Sequence, residues 1–218
     1  DRVVGSSRVD GAFSLSAFHR RGLRSFNPLR TFQSLPSFTL CHAAIEAGVH
    51  GPGEATFSRG LGTVMALADA CDALEDGAPE AFAGGADTGH HPITRLELPD
   101  VGVGDEWSEG AAFLRLKAVA ERPLGRVLEA RLCDRAEQVP PDDLFVLDAP
   151  RSEAARPEEA PRAADVNAQA VFGATLAASP ALAWCLALAR VDVRGVATIR
   201  TRDAASGAWG HVRIERLR

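Results

Sequence analysis

Between Thr63 and Glu75 apolar residues recur at a helical period: Val64, Leu67, Ala68, Cys71 and Leu74 share one face, and Gly77 follows as a stop signal. The chain then runs into Ala81-Phe82-Ala83-Gly84-Gly85-Ala86, a small-residue stretch that reads as a strand. A helix with one apolar face and a neighbouring strand must bury those surfaces together. This pair therefore predicts helix packed on sheet.

The rest of the sequence repeats the theme. Residues 3–7 read as a short strand and turn, and residues 14–24 as a helix. Asn27-Pro28 and Leu35-Pro36 punctuate a loop, because a residue before proline is pushed out of the helical region. Ser37 is a fair N-cap for a helix through Ala47, closed by Gly48, and residues 51–58 form a brief extended segment. Strands are expected at 110–116, 126–132 and 144–147, and a helix at 178–189 with Leu182, Leu186 and Ala189 on one face. Two last strands, 195–202 and 209–215, are joined by a glycine-containing loop at 203–207. Strands that alternate with helices and then pair predict an α/β layered fold.

Composition excludes several classes of function. The 218 residues carry 24 basic and 29 acidic side chains, a net charge of −5, with no long basic stripe, so binding to nucleic acid by phosphate neutralisation is not expected. No apolar run reaches the roughly 18 residues of a membrane span. The first residues lack the basic-then-apolar layout of a secretion signal, and the expected location is the cytoplasm. Cys41, Cys71, Cys133 and Cys185 stand far apart and outside any C-x-x-C pair, which predicts neither a zinc site nor a disulfide framework.

Five pieces in order carry a resemblance. Gly51-Pro52, the segment Ala55-Thr56-Phe57-Ser58, a small-residue elbow at Gly60-Leu61-Gly62 and a helix bearing Met65-Ala66-Leu67 come first. Ala83-Gly84-Gly85-Ala86-Asp87 and Ser108-Glu109-Gly110-Ala111-Ala112-Phe113-Leu114 follow. Val166-Asn167 with Phe172-Gly173-Ala174-Thr175-Leu176-Ala177-Ala178, and then Gly207-Ala208-Trp209-Gly210-His211-Val212, complete the set. In this order they resemble the β-ketoacyl synthases of the thiolase fold. The resemblance implies a truncated thiolase-like layered α/β fold with helices around mixed sheets. It also implies one domain over residues 1–218, its first half about 1–139 and its second about 140–218.

Ketosynthase chemistry, as the family implies it, loads an acyl group on a cysteine thiolate at a helix N-terminus and uses two histidines to stabilise oxyanion and enolate charge. Along this sequence the cysteine position falls on Gly60, the first histidine on Pro150 within Asp148-Ala149-Pro150, and the second on Ala174. All three positions are emptied. Cys71 lies about 16 Å along the helix from Gly60 at 1.5 Å per residue, too far to serve one pocket. Cys41 and His42 are helix neighbours on different faces. Ser58 is the remaining nucleophile candidate, although a strand-end or capping serine is the commoner explanation.

His90-His91, with Asp87, Glu97 and Asp105, form no recognised metal spacing and read as a solvated loop, as does the connector 153–159. His50 reads as capping a turn before Gly51, His19 and His211 carry no partner signal, and Glu109 reads as a hydrogen-bonding residue. No cofactor is expected. The resemblance is to chain-length factors: a non-catalytic subunit dimerising with a copy of itself or, preferably, with a catalytic ketosynthase in fatty-acid, polyketide or aryl-polyene synthesis. Acyl carrier protein is a further partner. Thr56, Phe57, Leu61, Val64 and Met65 would lie at the dimer interface or a tunnel remnant. A divergent condensing enzyme using Ser58 and a self-associating scaffold are the alternatives.

Overall fold

A computed structural model describes residues 5–25, 27, 36–56, 58–88, 107–133, 142–149, 164–203 and 206–218. The chain divides into two compact units, Asp1–Ala55 and Thr56–Arg218.

In the first unit, β1 (Arg8–Val9) and β2 (Ala12–Phe13) form an antiparallel hairpin. Its turn is Asp10-Gly11, both with positive φ (52° and 81°). That geometry matches the right-handed twist of the strands, and Asp-Gly is the dipeptide that adopts it at least cost. Helix α1 (Leu15–Ala17) is capped by Ser14, whose hydroxyl accepts from the Ala17 amide at 3.3 Å. It continues as a π turn at Phe18–Gly22 and a 3-10 turn at Leu23–Ser25, so the expected helix is one helical path of three pitches. Val3 and Val4 lie outside the described residues, and Gly5 and Ser6 are helical rather than extended. Helix α2 (Pro36–Glu46) starts at Pro36 itself, whose locked φ suits a first turn, and Gly48 at φ 63° follows its end.

The second unit opens with α3 (Arg59–Glu75), which begins four residues before the start its periodicity predicts. Glycines 60 and 62 do not delay it, because tertiary packing outweighs their low propensity. Leu61, Val64, Leu67 and Ala70 are buried along one face. A Cβ on Gly62 would lie 3.2 Å from the Thr56 carbonyl, so the first turn packs closely on the incoming chain.

Strands β3 (Ala81–Thr88) and β4 (Glu109–Leu116) pair antiparallel, with Gly84 opposite Phe113 and Gly85 opposite Ala112. The next strand, β5 (Gly125–Cys133), belongs to a second, five-stranded sheet of order β5-β9-β8-β6-β7. Its other members are β6 (Leu144–Asp148), β7 (Val166–Asn167), β8 (Val196–Arg202) and β9 (Trp209–Arg216). β6 is parallel to β7 and β8, while β9 is antiparallel to β8 and β5. All of β6 after Leu144 is buried, and its unbroken apolar run reflects cover on both faces. The sheet changes between Leu116 and Gly125, so β5 pairs with β9 on the C-terminal side.

Helices α4 (Ala168–Phe172) and α5 (Ser179–Arg190) complete the unit. Val64 and Leu67 of α3, Trp184 and Ala187 of α5, Val146, Ile199, Val212 and Ile214 form one core cluster. Burying a side chain of Leu, Ile or Val size stabilises by about 1.5–3 kcal/mol. No helix of the described residues is long and apolar enough to cross a membrane.

Candidate functional site

The elbow is built by four elements of the second unit. Helix α3 supplies Gly60 in its first turn, after Ser58 at the N-cap position and Arg59 at φ 49°. A positive φ in a side-chain-bearing residue costs about 1 kcal/mol or more, and it is held here by surrounding contacts. One contact is an ion pair from Arg59 Nη1 to Asp203 Oδ1 at 3.4 Å. Ser58 is exposed, and its side chain makes no cap hydrogen bond.

Against this turn lies a 3-10 turn, Leu176–Ala178, which follows Gly173-Ala174-Thr175. Thr63 Oγ1 donates to the Ala177 carbonyl at 2.5 Å, and the Ala177 amide donates to Asp87 Oδ2 at 3.4 Å. Gly85 makes this approach possible: a Cβ there would collide with the Ala177 carbonyl and come within 2.7 Å of Thr63 Oγ1. The Gly-Gly strand thus has a packing reason at the site itself. Ala174, where the resemblance puts the second histidine, is buried, and its carbonyl accepts from the Ser108 amide at 3.1 Å.

The wall behind Gly60 comes from α5 and β8. A Cβ added at Gly60 would lie 3.2 Å from Pro180 Cγ, 3.2 Å from Thr201 Cγ2 and 3.5 Å from the Leu176 carbonyl. Asp148, at the end of β6, is fully buried beside this wall. Its Oδ1 accepts from Ser179 Oγ at 2.5 Å and Gln169 Nε2 at 3.0 Å, and its Oδ2 accepts from Thr201 Oγ1 at 3.1 Å. Burial pushes the Asp148 carboxyl above the usual carboxylate range, while the three uncharged donors pull the other way.

The remaining expected positions separate. Pro150, Phe57, His90, His91, Glu97, Asp105 and the connector 153–159 lie outside the described residues. Leu61 and Val64 are buried by this chain's own core, whereas Thr56 and Met65 are half-buried. Glu109 Oε2 accepts from Thr88 Oγ1 at 3.0 Å. Cys71 is half-buried in α3, and burial, with Asp72 and Glu75 beside it, raises its thiol pKa. In the first unit Cys41 is exposed, and His42 stacks edge-on against Phe38 at 4.4 Å.

His211 departs from the sequence expectation. It is 1% exposed on β9, with Nε2 3.3 Å from Glu129 Oε2 and Nδ1 without a partner among the described residues. Burial lowers its pKa, Arg200 adds to that, and Glu129 opposes it. In strand register it stands between Arg131 of β5 and Arg200 of β8. Both guanidiniums also reach Cys133 Sγ, at 3.3 Å and 3.6 Å. The alternation of charged and apolar residues in 127–133 and 196–202 was the available sequence signal for this polar sheet face. Nothing in it told that the face would be buried.

An elbow at the head of α3, a Gly-Gly strand packed against it and a 3-10 turn beside it form the site, and the fold that carries them is the thiolase-like one of solved ketosynthases. Solved structures agree. A type II polyketide ketosynthase in complex with its acyl-carrier protein matches over 93% of this chain and 71% of its own, at 15% identity and a TM-score of 0.67. A ketosynthase/chain length factor from ishigamide synthesis matches over 100% of this chain and 69% of its own, at 16% identity and a TM-score of 0.59. An oxazolomycin ketosynthase domain of Streptomyces albus JA3453 matches over 80% and 48%, at 17% identity and a TM-score of 0.62. No protein-family model and no curated protein matches the sequence. At these identities the likeness establishes the fold.

Proposed function

We propose that this chain is a non-catalytic, chain-length-factor-like subunit that pairs with a cysteine-bearing ketosynthase in fatty-acid or polyketide synthesis. One observation supports the reading: Gly60, at the position where the resemblance puts the nucleophile, stands in the first turn of α3 and has no side chain. A helix N-terminus lowers the pKa of a thiol placed on it, but Gly60 has no side chain to ionise or acylate. Ala174 removes a second reactive group. What such a subunit can contribute is shape and surface. The partner-facing part of the elbow is proposed at Thr56 and Met65, which the chain does not cover fully, with Phe57 beside them in sequence. The setting is cytoplasmic, acyl carrier protein is the further partner, and no cofactor is required.

Co-expression with a tagged ketosynthase from the same source tests the pairing. Capture of a stable complex is expected, and a chain that never associates with that ketosynthase removes the basis of the proposal. Intact mass after incubation with acyl-CoA and acyl-carrier thioesters tests the missing chemistry. An unchanged mass is expected. A stable adduct on Ser58 would instead establish a divergent condensing enzyme.

A further inference from the structure

The emptied elbow is also crowded on the side facing α5 and β8. Two carbon atoms, Pro180 Cγ and Thr201 Cγ2, stand 3.2 Å from the point a Cβ on Gly60 would occupy, closer than carbon atoms pack at their optimum of about 3.5–4.0 Å. Neither is free to retreat. Thr201 is 4% exposed, and its hydroxyl is tied to Asp148 Oδ2, which turns its methyl toward Gly60. Pro180 is a rigid ring in the first turn of α5, and the preceding Ser179 is tied to Asp148 Oδ1. Asp148 therefore holds Thr201 directly and Pro180 through the neighbouring Ser179. Gln169 of α4 holds the same carboxyl from a third direction.

We infer that Asp148 braces Thr201 and Pro180 as a plug that closes the elbow of this subunit, so that restoring a cysteine at position 60 does not by itself restore a usable nucleophile. The inference rests on Gly60 as the elbow position of the proposed function and deepens it: the subunit is barred from carrying an acyl chain by its walls as well as by its missing sulfur. The plug also assigns a role to the acidic residue beside the emptied Pro150 position. It holds the pocket shut rather than helping chemistry inside it.

The test installs a thiol and asks whether it has room. In the full chain, in a Cys71→Ser background that leaves no other cysteine in α3, Gly60→Cys is compared with Gly60→Cys/Pro180→Ala/Thr201→Ser. Serine keeps the hydroxyl for Asp148 while losing the methyl, and alanine suits a helix first turn. Iodoacetamide is the probe: the thiolate forms a carbon–sulfur bond and iodide leaves, a reaction read at residue 60 by peptide mass mapping. The expected result is a lowered melting temperature and loss of alkylation in the first variant, with both recovered in the second. Alkylation of the first variant as fast as the exposed Cys41, or no gain on cutting back Pro180 and Thr201, overturns the inference.

If Gly60→Cys does not fold, Gly60→Ala in the native and Pro180→Ala/Thr201→Ser backgrounds decides the question. A smaller loss of melting temperature in the opened background supports the plug, and equal losses overturn it. Partner capture is a separate readout: an open elbow in a chain that still captures a ketosynthase sinks the plug alone, whereas a closed elbow without capture sinks the subunit reading alone.

Discussion

Ser179 donates its hydroxyl to Asp148 Oδ1 at 2.5 Å, fastening the first turn of α5 to the end of β6. Through Thr201 the same carboxyl fastens β8 as well. A fully buried carboxyl with only uncharged donors makes this junction sensitive to its protonation state.

Asp148→Asn is expected to alter how stability depends on pH. A carboxyl raised by burial in the folded state binds its proton more tightly there than in the unfolded chain. Its stabilising contribution is complete below the ordinary carboxylate pKa of about 3.9 and is lost as pH rises through the folded value. Asparagine can accept from Ser179 and Gln169 and donate to Thr201, so it keeps the contacts without the charge. Urea unfolding across pH should show native and variant proteins closest at acid pH, with the native protein falling behind as pH rises.

Asp142 predicts the opposite slope. Arg213 donates to both of its oxygens at 2.8 Å and Thr198 donates to Oδ2, and the Arg213 hydrogen bonds hold its carboxyl below the usual range despite some burial. Its stabilisation is present above the ordinary carboxylate pKa and disappears as pH falls through the folded value. The stability difference between native protein and Asp142→Asn, followed by urea unfolding, is expected to shrink toward zero on acidification.

Gly210→Ala should strain the core. A Cβ there would lie 2.8 Å from Val64 Cγ2, where β9 passes over α3. Overpacking of this kind costs about 1–3 kcal/mol. Adding Val64→Ala should recover part of that loss, and a double-mutant cycle on chemical denaturation measures the coupling.

The Arg59–Asp203 pair should matter little to stability. Its Arg59 side chain is 30% exposed, and pairs of this exposure contribute about 0–1 kcal/mol. Arg59→Gln, which leaves the Ser206 hydrogen bonds to Asp203 in place, is expected to lower the melting temperature slightly at low salt, with the difference fading as ionic strength rises.

Much of the element order was legible from local signals. The 3.6-residue period of 63–75 and the glycine after it announced α3, the strand expected at 110–116 matches β4, and the apolar run at 144–147 announced β6. Asp10-Gly11 is itself a local hairpin signal. Helix α3 starts ahead of Thr63 because packing on Thr56 outweighs the low helix propensity of Gly60 and Gly62.

By itself, then, the sequence determined which segments coil or extend, and that no thiol or imidazole stands at residues 60 and 174, because periodicity and residue type are local properties. Only the tertiary structure decided that β5 joins β9, that His211 is buried against Glu129, that Thr201 is bonded to Asp148, and that Thr201 and Pro180 stand against Gly60. Those outcomes arise from residues far apart in the chain meeting at ångström distances, where the exclusion of water and of overlapping atoms sets the energy, and no local pattern encodes which surfaces will meet.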